Sequence, residues 1–252
     1  LNPQTWAILT NAAPADRAEA AWASVRELLI KEMGPLLLAP AYSVPREDIG
    51  YITRYSPGSR ENGGVYTHAA TWALAAACHV KDTAAAERIY RSINPAIRSE
   101  ADADGWSAEP YATPGNIDGP LSETPGRAGW TWYTGSAAWL NRICLERIIG
   151  LRPTWEGMAI DPCPIPSIGV VDATRRWRGR SVRLRFDAAE WREGQPIRVT
   201  VNGEARERAM VEEGDAPIGG TIDVVATWIT REERQRPAPA AAAAATGQRS
   251  LR

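Results

Sequence analysis

Phenylalanine is almost missing from this chain: Phe186 stands alone against 11 Trp and 7 Tyr in 252 residues. A core that needs only apolar volume uses Phe freely, whereas Trp and Tyr combine a flat face with a polar handle, the equipment of a sugar-binding cleft. A Trp-rich interior with no further role is the competing reading. Cysteine is also scarce, with three widely spaced residues, Cys78, Cys144 and Cys163. An odd, scattered set outlines no disulfide framework, so a reducing, cytoplasmic setting is expected, with neither metal nor organic cofactor. No sign of charge prevails: 29 Lys and Arg face 30 Asp and Glu, for a net charge of -1. Such a balance offers no field to recruit nucleic acid or an acidic membrane. No apolar run reaches the roughly 18 residues of a membrane span. The first residues lack the charged and apolar regions of a secretory signal. Neither nucleic acid nor membrane is an expected partner.

What is present suits a globular protein longer than one average domain, with 44% hydrophobic residues to fill a core. The chain opens at Leu1 without a methionine, and Leu1-Asn-Pro-Gln-Thr-Trp6 reads as a proline-started helix, as if taken from the middle of something longer. Asp16 is expected to cap a second helix reaching about Glu32, with Ala18, Ala21, Trp22, Val25, Leu28 and Leu29 on one buried stripe, and Gly34-Pro35 to stop it. Residues 36–64 carry Pro40, Pro45 and Pro57 and no sustained period, so they form a long irregular loop of the kind that binds. Helices are expected over 67–79 and 82–92, joined at Lys81-Asp82. A second irregular stretch, 94–130, is dense in Gly, Pro and Asp; it feeds a helix over 134–150 with Trp139, Leu140, Ile143, Cys144 and Ile148 on one side.

Beyond Gly150 the period changes. A connector over 151–166 leads into alternating text: Val182, Leu184 and Phe186, then Ile197, Val199 and Val201, the hairpin signal Asn202-Gly203, and Ile222, Val224 and Ala226. This predicts a small antiparallel β-sandwich over 153–230. The Pro/Ala-rich end, 231–252, has no amphipathic pattern and is expected to be a disordered tail.

Chemistry concentrates at two junctions where a polar loop runs into a helix. In Arg60-Glu-Asn-Gly-Gly-Val-Tyr-Thr-His68 a glycine pair separates a polar triplet from a Tyr-Thr-His run at a helix start. Glycines let backbone approach a ligand closely, and a helix start offers free N–H groups and a positive dipole end to an anion. Gly129-Trp-Thr-Trp-Tyr-Thr-Gly-Ser136 repeats the arrangement. Both suit a polar or anionic small molecule.

Seven stretches in order carry a resemblance. They are Leu1-Asn-Pro-Gln-Thr-Trp6, Gly50-Tyr-Ile52, Pro57-Gly-Ser-Arg-Glu-Asn-Gly-Gly-Val-Tyr-Thr-His68, Ile93-Asn-Pro95, Glu109-Pro-Tyr111, Gly129-Trp-Thr-Trp-Tyr-Thr-Gly-Ser-Ala-Ala-Trp139, and Gly150-Leu-Arg-Pro153 with Ile160-Asp-Pro-Cys163. Together they resemble the C-terminal part of the cellobiose phosphorylase family, glycoside hydrolase family 94. In wording they are most like the phosphorylase-like end of cyclic β-1,2-glucan synthases and the β-1,2-oligoglucan phosphorylases.

The resemblance implies a mainly α fold: part of an (α/α)6 barrel over 1–152, followed by the β-sandwich. It implies inverting, reversible phosphorolysis of a β-glucoside to glucose 1-phosphate, with inorganic phosphate as co-substrate and a β-glucan oligosaccharide as partner. It places His68, Thr134 and Gly135 at phosphate-contact positions. Arg60 and Glu61 would meet sugar hydroxyls, or else form loop salt bridges. Glu109, Tyr111 and Trp132 would line the same cleft, or else serve the bent loop and the core. His79 has no motif around it and reads as structural. The family's acid, an aspartate upstream of Asn2-Pro-Gln-Thr-Trp6, and an upstream phosphate-holding arginine have no counterpart here. The isolated chain is therefore expected to be inactive, and to need the missing barrel half or to self-associate over exposed apolar faces. The alternative is a non-catalytic carbohydrate-binding or truncated remnant of a cyclic β-1,2-glucan synthase.

Overall fold

The computed structural model describes residues 1–230 apart from Tyr133 and Glu193, and describes Thr134 by its backbone alone. The expected tail, 231–252, lies outside the described residues.

Helix α1 (Asn2–Leu9) starts with proline in its first turn, and the Leu1 amino group is tied to the Leu37 carbonyl at 2.9 Å. Helix α2 (Ala15–Ser24) follows Pro14 without any side-chain cap, and Asp16 lies in its first turn. Asp16 therefore faces the positive end of the helix dipole instead of capping it. The helix continues as one π-helical turn, Val25–Leu29, which takes in an extra residue and rotates the buried stripe. Trp22, Val25 and Leu29 turn inward, whereas Leu28, expected among them, is 53% exposed. Strand β1 (Ile30–Lys31) then pairs with β2 (Gly34–Pro35) in a tight antiparallel hairpin, so the two residues expected only to end a helix form a strand of their own.

Strand β3 (Val65–Tyr66) delivers the chain to α3 (Thr67–His79), which is followed by α4 (Thr83–Ile93). Asp82 caps α4 as expected, its carboxylate accepting from the Ala85 N–H at 3.0 Å. Helix α3 is the central element: Ala69, Ala70, Ala73, Ala76, Ala77 and Leu74 are fully buried, and it packs against α1, α4 and α7 (Thr134–Ile143). Alanine on several faces lets three neighbours approach one helix closely.

The stretch 94–130 is less irregular than its composition suggests. Asn94 caps α5 (Pro95–Ala101) and Asp102 caps α6 (Ala103–Trp106). Both helices are too short to express a period, and the caps and proline that start them look like loop punctuation in sequence. Strands β4 (Asn116–Ile117) and β5 (Ala128–Gly129) join β3 in a three-stranded sheet of order β3-β4-β5. That small sheet ties the two irregular loops to the head of α3. After α7 a second π-helical turn, Cys144–Ile148, completes the helical part. Its apolar cluster also takes in Cys163 and Ile165 from farther along the chain.

The β-rich part consists of β6 (Leu151–Pro153), β7 (Met158–Ile160), β8 (Val170–Trp177), β9 (Arg180–Asp187), β10 (Ile197–Val201), β11 (Glu204–Arg206), β12 (Met210–Val211) and β13 (Thr221–Trp228). A five-stranded sheet of order β11-β10-β13-β9-β8 and a three-stranded sheet of order β12-β7-β6 share a second apolar cluster. The predicted alternation holds: Val182, Leu184, Val199, Val201, Ile222 and Val224 point inward, each at 1% exposure or less, for roughly 2 kcal/mol per side chain. Asn202 and Gly203 both adopt positive φ, as a two-residue hairpin turn demands, and join β10 to β11.

The expectation of a purely antiparallel sheet is corrected: β13 runs parallel to β9. Their sequence separation hides the pairing direction, because strand alternation reads the same both ways. The connector over 151–166 is likewise partly strand. Across the junction of the two parts, Lys81 donates to Asp161 Oδ1 at 2.5 Å and the Pro162 carbonyl at 3.0 Å, and Arg175 donates to Glu146 at 3.2 Å. No helix among the described residues is long and apolar enough to cross a membrane.

Candidate functional site

The two loop-to-helix junctions meet in space because their loops are knitted backbone to backbone. Gly119 N–H donates to the Gly58 carbonyl at 2.7 Å. A Cβ placed on Gly119 would lie 2.0 Å from the Gly63 oxygen, so no other residue fits there. Asn62, fully buried, accepts from Tyr42 N–H at 2.7 Å and donates to the Tyr42 and Tyr55 carbonyls at 2.9 and 2.8 Å. One amide thus fixes the course of the loop leading to Arg60.

Within this frame a cavity of about 130 Å³ is lined by Arg60, Tyr66, His68, Gly115, Trp130 and Ser136. His68, on the first turn of α3, rests on Trp72 and Trp139 with ring centroids 4.9 and 6.4 Å away. Its Nε2 is buried and makes no hydrogen bond. Burial holds its pKa below the ordinary histidine value, so the ring is neutral at pH 7, with one nitrogen to donate and one to accept. Gly135, on the first turn of α7, lies against this ring: a Cβ there would sit 3.2 Å from His68 Cε1. The side chain of Thr134 lies outside the described residues.

The Arg60 guanidinium is sandwiched between two aromatic faces, 3.5 Å from the Trp130 centroid and 4.5 Å from that of Tyr55. Its Nε lies 3.6 Å from Glu61 Oε2, yet both atoms are buried without a hydrogen bond. The pair is thus an ion pair with unused hydrogen-bonding capacity.

Glu109, Tyr111 and Trp132 form a separate, more open group. Trp132 Nε1 donates to Glu109 Oε1 at 3.0 Å, and the Tyr111 and Trp132 rings meet edge to face at 6.0 Å. The Glu109 carboxyl is held below the usual carboxylate range, first by a backbone N–H of its own residue and then by donors from Trp132 and Thr131. Glu109 borders a shallow depression of about 590 Å³ that also reaches Trp130. The structure therefore brings Arg60 and His68 into one cavity with Trp130, with Glu61 against Arg60 and Gly135 against His68, and groups Glu109, Tyr111 and Trp132 apart from them.

Arg60, Trp130 and Trp132 adopt φ values of +51°, +56° and +66°. Left-handed backbone at bulky residues costs of order 1–3 kcal/mol each, and such strain gathers at ligand sites. Sequence reasoning missed Tyr66 and Ser136 as cavity walls. It also missed Asn2 and Gln4, whose side-chain oxygens at the head of α1 are buried without a partner. Both stand in Leu1-Asn-Pro-Gln-Thr-Trp6, the first of the stretches that carry the resemblance.

A larger cavity, about 760 Å³, lies elsewhere, between the α1–α2 and α3–α4 turns, and includes His79, Trp22 and Asp82. Its central carboxylate is already engaged: Asp82 caps α4 and accepts from Trp22 Nε1 at 3.0 Å and from Arg26 at 3.4 Å. His79 is shifted below its ordinary pKa, chiefly by burial and then by Arg147. Among the described residues no three His, Cys, Asp or Glu are grouped to hold a metal ion.

Two helix starts, the strained Trp130 and a histidine whose buried Nε2 makes no hydrogen bond thus meet at one cavity. The chain belongs to the glycosyl hydrolase 94 superfamily: the model of that superfamily's catalytic domain matches residues 1–150. It is similar to the cyclic beta-(1,2)-glucan synthase NdvB of Rhizobium meliloti (strain 1021), at 34% identity over 82% of this chain and 7% of the relative. It is similar as well to the N,N'-diacetylchitobiose phosphorylase of Vibrio furnissii, at 31% identity over 81% of this chain and 26% of the relative. The solabiose phosphorylase of Paenibacillus borealis matches at 30% over 81% of this chain and 26% of its own length. The chain thus spans about a quarter or less of these curated relatives.

Proposed function

We propose that this chain is the C-terminal portion of an inverting β-glucan phosphorylase, and that its cleft supplies the phosphate-facing wall of the site. In this reading an oxygen of inorganic phosphate attacks the anomeric carbon from the face opposite the glycosidic oxygen. The glycosidic C–O bond breaks, the leaving oxygen takes a proton from an acid, and glucose 1-phosphate forms with inverted configuration. Phosphate arrives already nucleophilic, so the site needs an anion cradle where a hydrolase needs a second carboxylate. His68 donates from a neutral ring, Gly135 offers a backbone N–H at a helix start, and Thr134 adds its hydroxyl. Arg60 and Glu61 meet hydroxyls of the glucan, with Glu109, Tyr111 and Trp132 farther along it. The acid, and the helices that complete an (α/α)6 barrel, come from outside these residues, and the setting is cytoplasmic. Phosphorylases among the relatives support the reaction class.

The observation that carries this reading is the buried, unpartnered Nε2 of His68 beside the Gly135 backbone. The test is phosphate binding by the 252-residue chain, followed as a rise in melting temperature with phosphate concentration. Stabilisation by phosphate that disappears in His68→Ala is expected, with no phosphate release from glucose 1-phosphate and a β-glucan acceptor. Equal stabilisation of wild type and variant would defeat the pocket, and turnover by the chain alone would defeat the missing acid.

A further inference from the structure

Trp155 is 95% exposed, more than any other large apolar residue among those described. An isolated exposed leucine means little, but a fully exposed indole on a rigid support is unusual, because Trp offers the largest apolar face of any side chain. The support here is rigid. Trp155 sits at the tip of the β6–β7 turn, where Thr154 N–H donates to the Gly157 carbonyl at 2.8 Å. The Thr154 hydroxyl also donates to that carbonyl at 3.0 Å and accepts from the Gly157 N–H at 3.1 Å. Gly157 is seated so tightly that a Cβ would lie 2.4 Å from the Val211 oxygen. From the neighbouring β8–β9 turn, Arg178 donates to the Trp155 carbonyl at 3.0 Å and the Thr154 carbonyl at 3.4 Å.

The neighbouring charged side chains are ion-paired, and Glu213 also meets Arg180 at 3.9 Å. Arg178 is bonded to Glu213 at 2.6 Å, and Glu156, the next residue after Trp155, is paired with Arg208. All four side chains are at least one-third exposed, so the carboxylates keep lone pairs and the guanidiniums keep N–H groups facing water. A flat, exposed aromatic face on a fixed turn, with the Glu156–Arg208 pair following it in sequence and the Glu213-bound Arg178 holding its backbone, suits the surface of a pyranose: an apolar C–H face ringed by hydroxyls.

We propose that Trp155, with Glu156 and Glu213, forms a second saccharide-binding platform on the β-rich part, which holds a β-linked glucan by stacking. It is separate from the His68 cavity and takes only its ligand class from the function proposed above. Ordering cost is low because the turn is fixed before the sugar arrives. The platform would keep a long substrate near the protein while another part of it occupies the cleft.

The experiment is titration of the 252-residue chain with a linear β-1,2-linked glucooligosaccharide, read by calorimetry, for wild type, Trp155→Ala, Trp155→Phe and His68→Ala. Trp155→Ala is expected to weaken binding by roughly tenfold, about what one stacked ring contributes. Trp155→Phe should retain most of it, and His68→Ala should leave platform binding intact. Loss of phosphate binding in His68→Ala with glucan binding preserved keeps the two sites apart, so either proposal can fail alone. Unchanged affinity in Trp155→Ala, or no glucan binding by the chain, would overturn the platform. So would conversion of a dimer to monomers by Trp155→Ala in sedimentation, since the indole would then be a protein contact.

Discussion

The imidazole of His68 and the backbone of Gly135 face each other across two helix starts that lie 67 positions apart in sequence, so that a Cβ added to the glycine would lie 3.2 Å from His68 Cε1. Gly135→Ala is expected to push the ring aside by a few tenths of an ångström. Alanine also favours helix over glycine by up to about 1 kcal/mol. The variant should therefore melt no lower than wild type while its stabilisation by phosphate shrinks. A thermal-shift series with phosphate checks both halves, and undiminished phosphate stabilisation would remove Gly135 from the pocket.

The pH response of His68 follows from its burial. Its folded pKa lies below the unfolded value of 6.5, so below that pH the unfolded chain binds the proton more readily. The neutral ring therefore adds no penalty above pH 6.5, and stability falls as pH drops from 6.5 through the lower folded value. A bound phosphate should raise the His68 pKa, because a nearby anion favours the imidazolium. Imidazole proton shifts followed by NMR with and without phosphate give the check; an unmoved titration would place the anion elsewhere.

Arg60 combines strained backbone at φ +51° with two aromatic contacts. Arg60→Ala keeps the strain and loses the stacking, for an expected loss of about 1–2 kcal/mol. Arg60→Gly loses the same contacts but relaxes the backbone, which offsets about 1 kcal/mol of it. Urea unfolding should rank wild type first, glycine second and alanine last. Glycine below alanine would show that the left-handed conformation is not the costly part.

Asn62 makes three hydrogen bonds in full burial. Asn62→Ala strands one N–H and two carbonyls, at an expected cost of about 3 kcal/mol or more. Proteolysis within residues 36–64 should accelerate along with the lowered denaturation midpoint. Asn62→Asp restores the acceptor for Tyr42 N–H but faces two carbonyls with a second acceptor, so it should recover little.

What was legible in the sequence was local. Asp82 as a cap and Asn202-Gly203 as a turn depend on neighbours within a few residues, and both stand as read. The alternation of Val182, Leu184 and Phe186 fixed which face of β9 is buried. The unread features depend on distant partners. The parallel pairing of β9 with β13 requires two strands roughly 40 residues apart, and Leu28 is exposed because a π-helical turn displaced the stripe. The repeated loop-to-helix pattern pointed to an anion at each junction and the family resemblance joined His68 and Gly135 in one site, but the strain at Trp130 and the aromatic sandwich around Arg60 leave no trace in residue spacing. Trp155 carried no motif at all.

Cys163 and Ile165, both with 0% exposure, are packed among the helices although a strand pair separates them from α7. A gene product ending at residue 150, where the catalytic-domain match stops, would therefore lack a piece of its own interior. The missing Ile165 alone would forgo roughly 2 kcal/mol and open hydrocarbon to water. Anyone trimming this protein for expression should keep Cys163 and Ile165, since the interior of the helical part extends past the stretch that the catalytic-domain model matches.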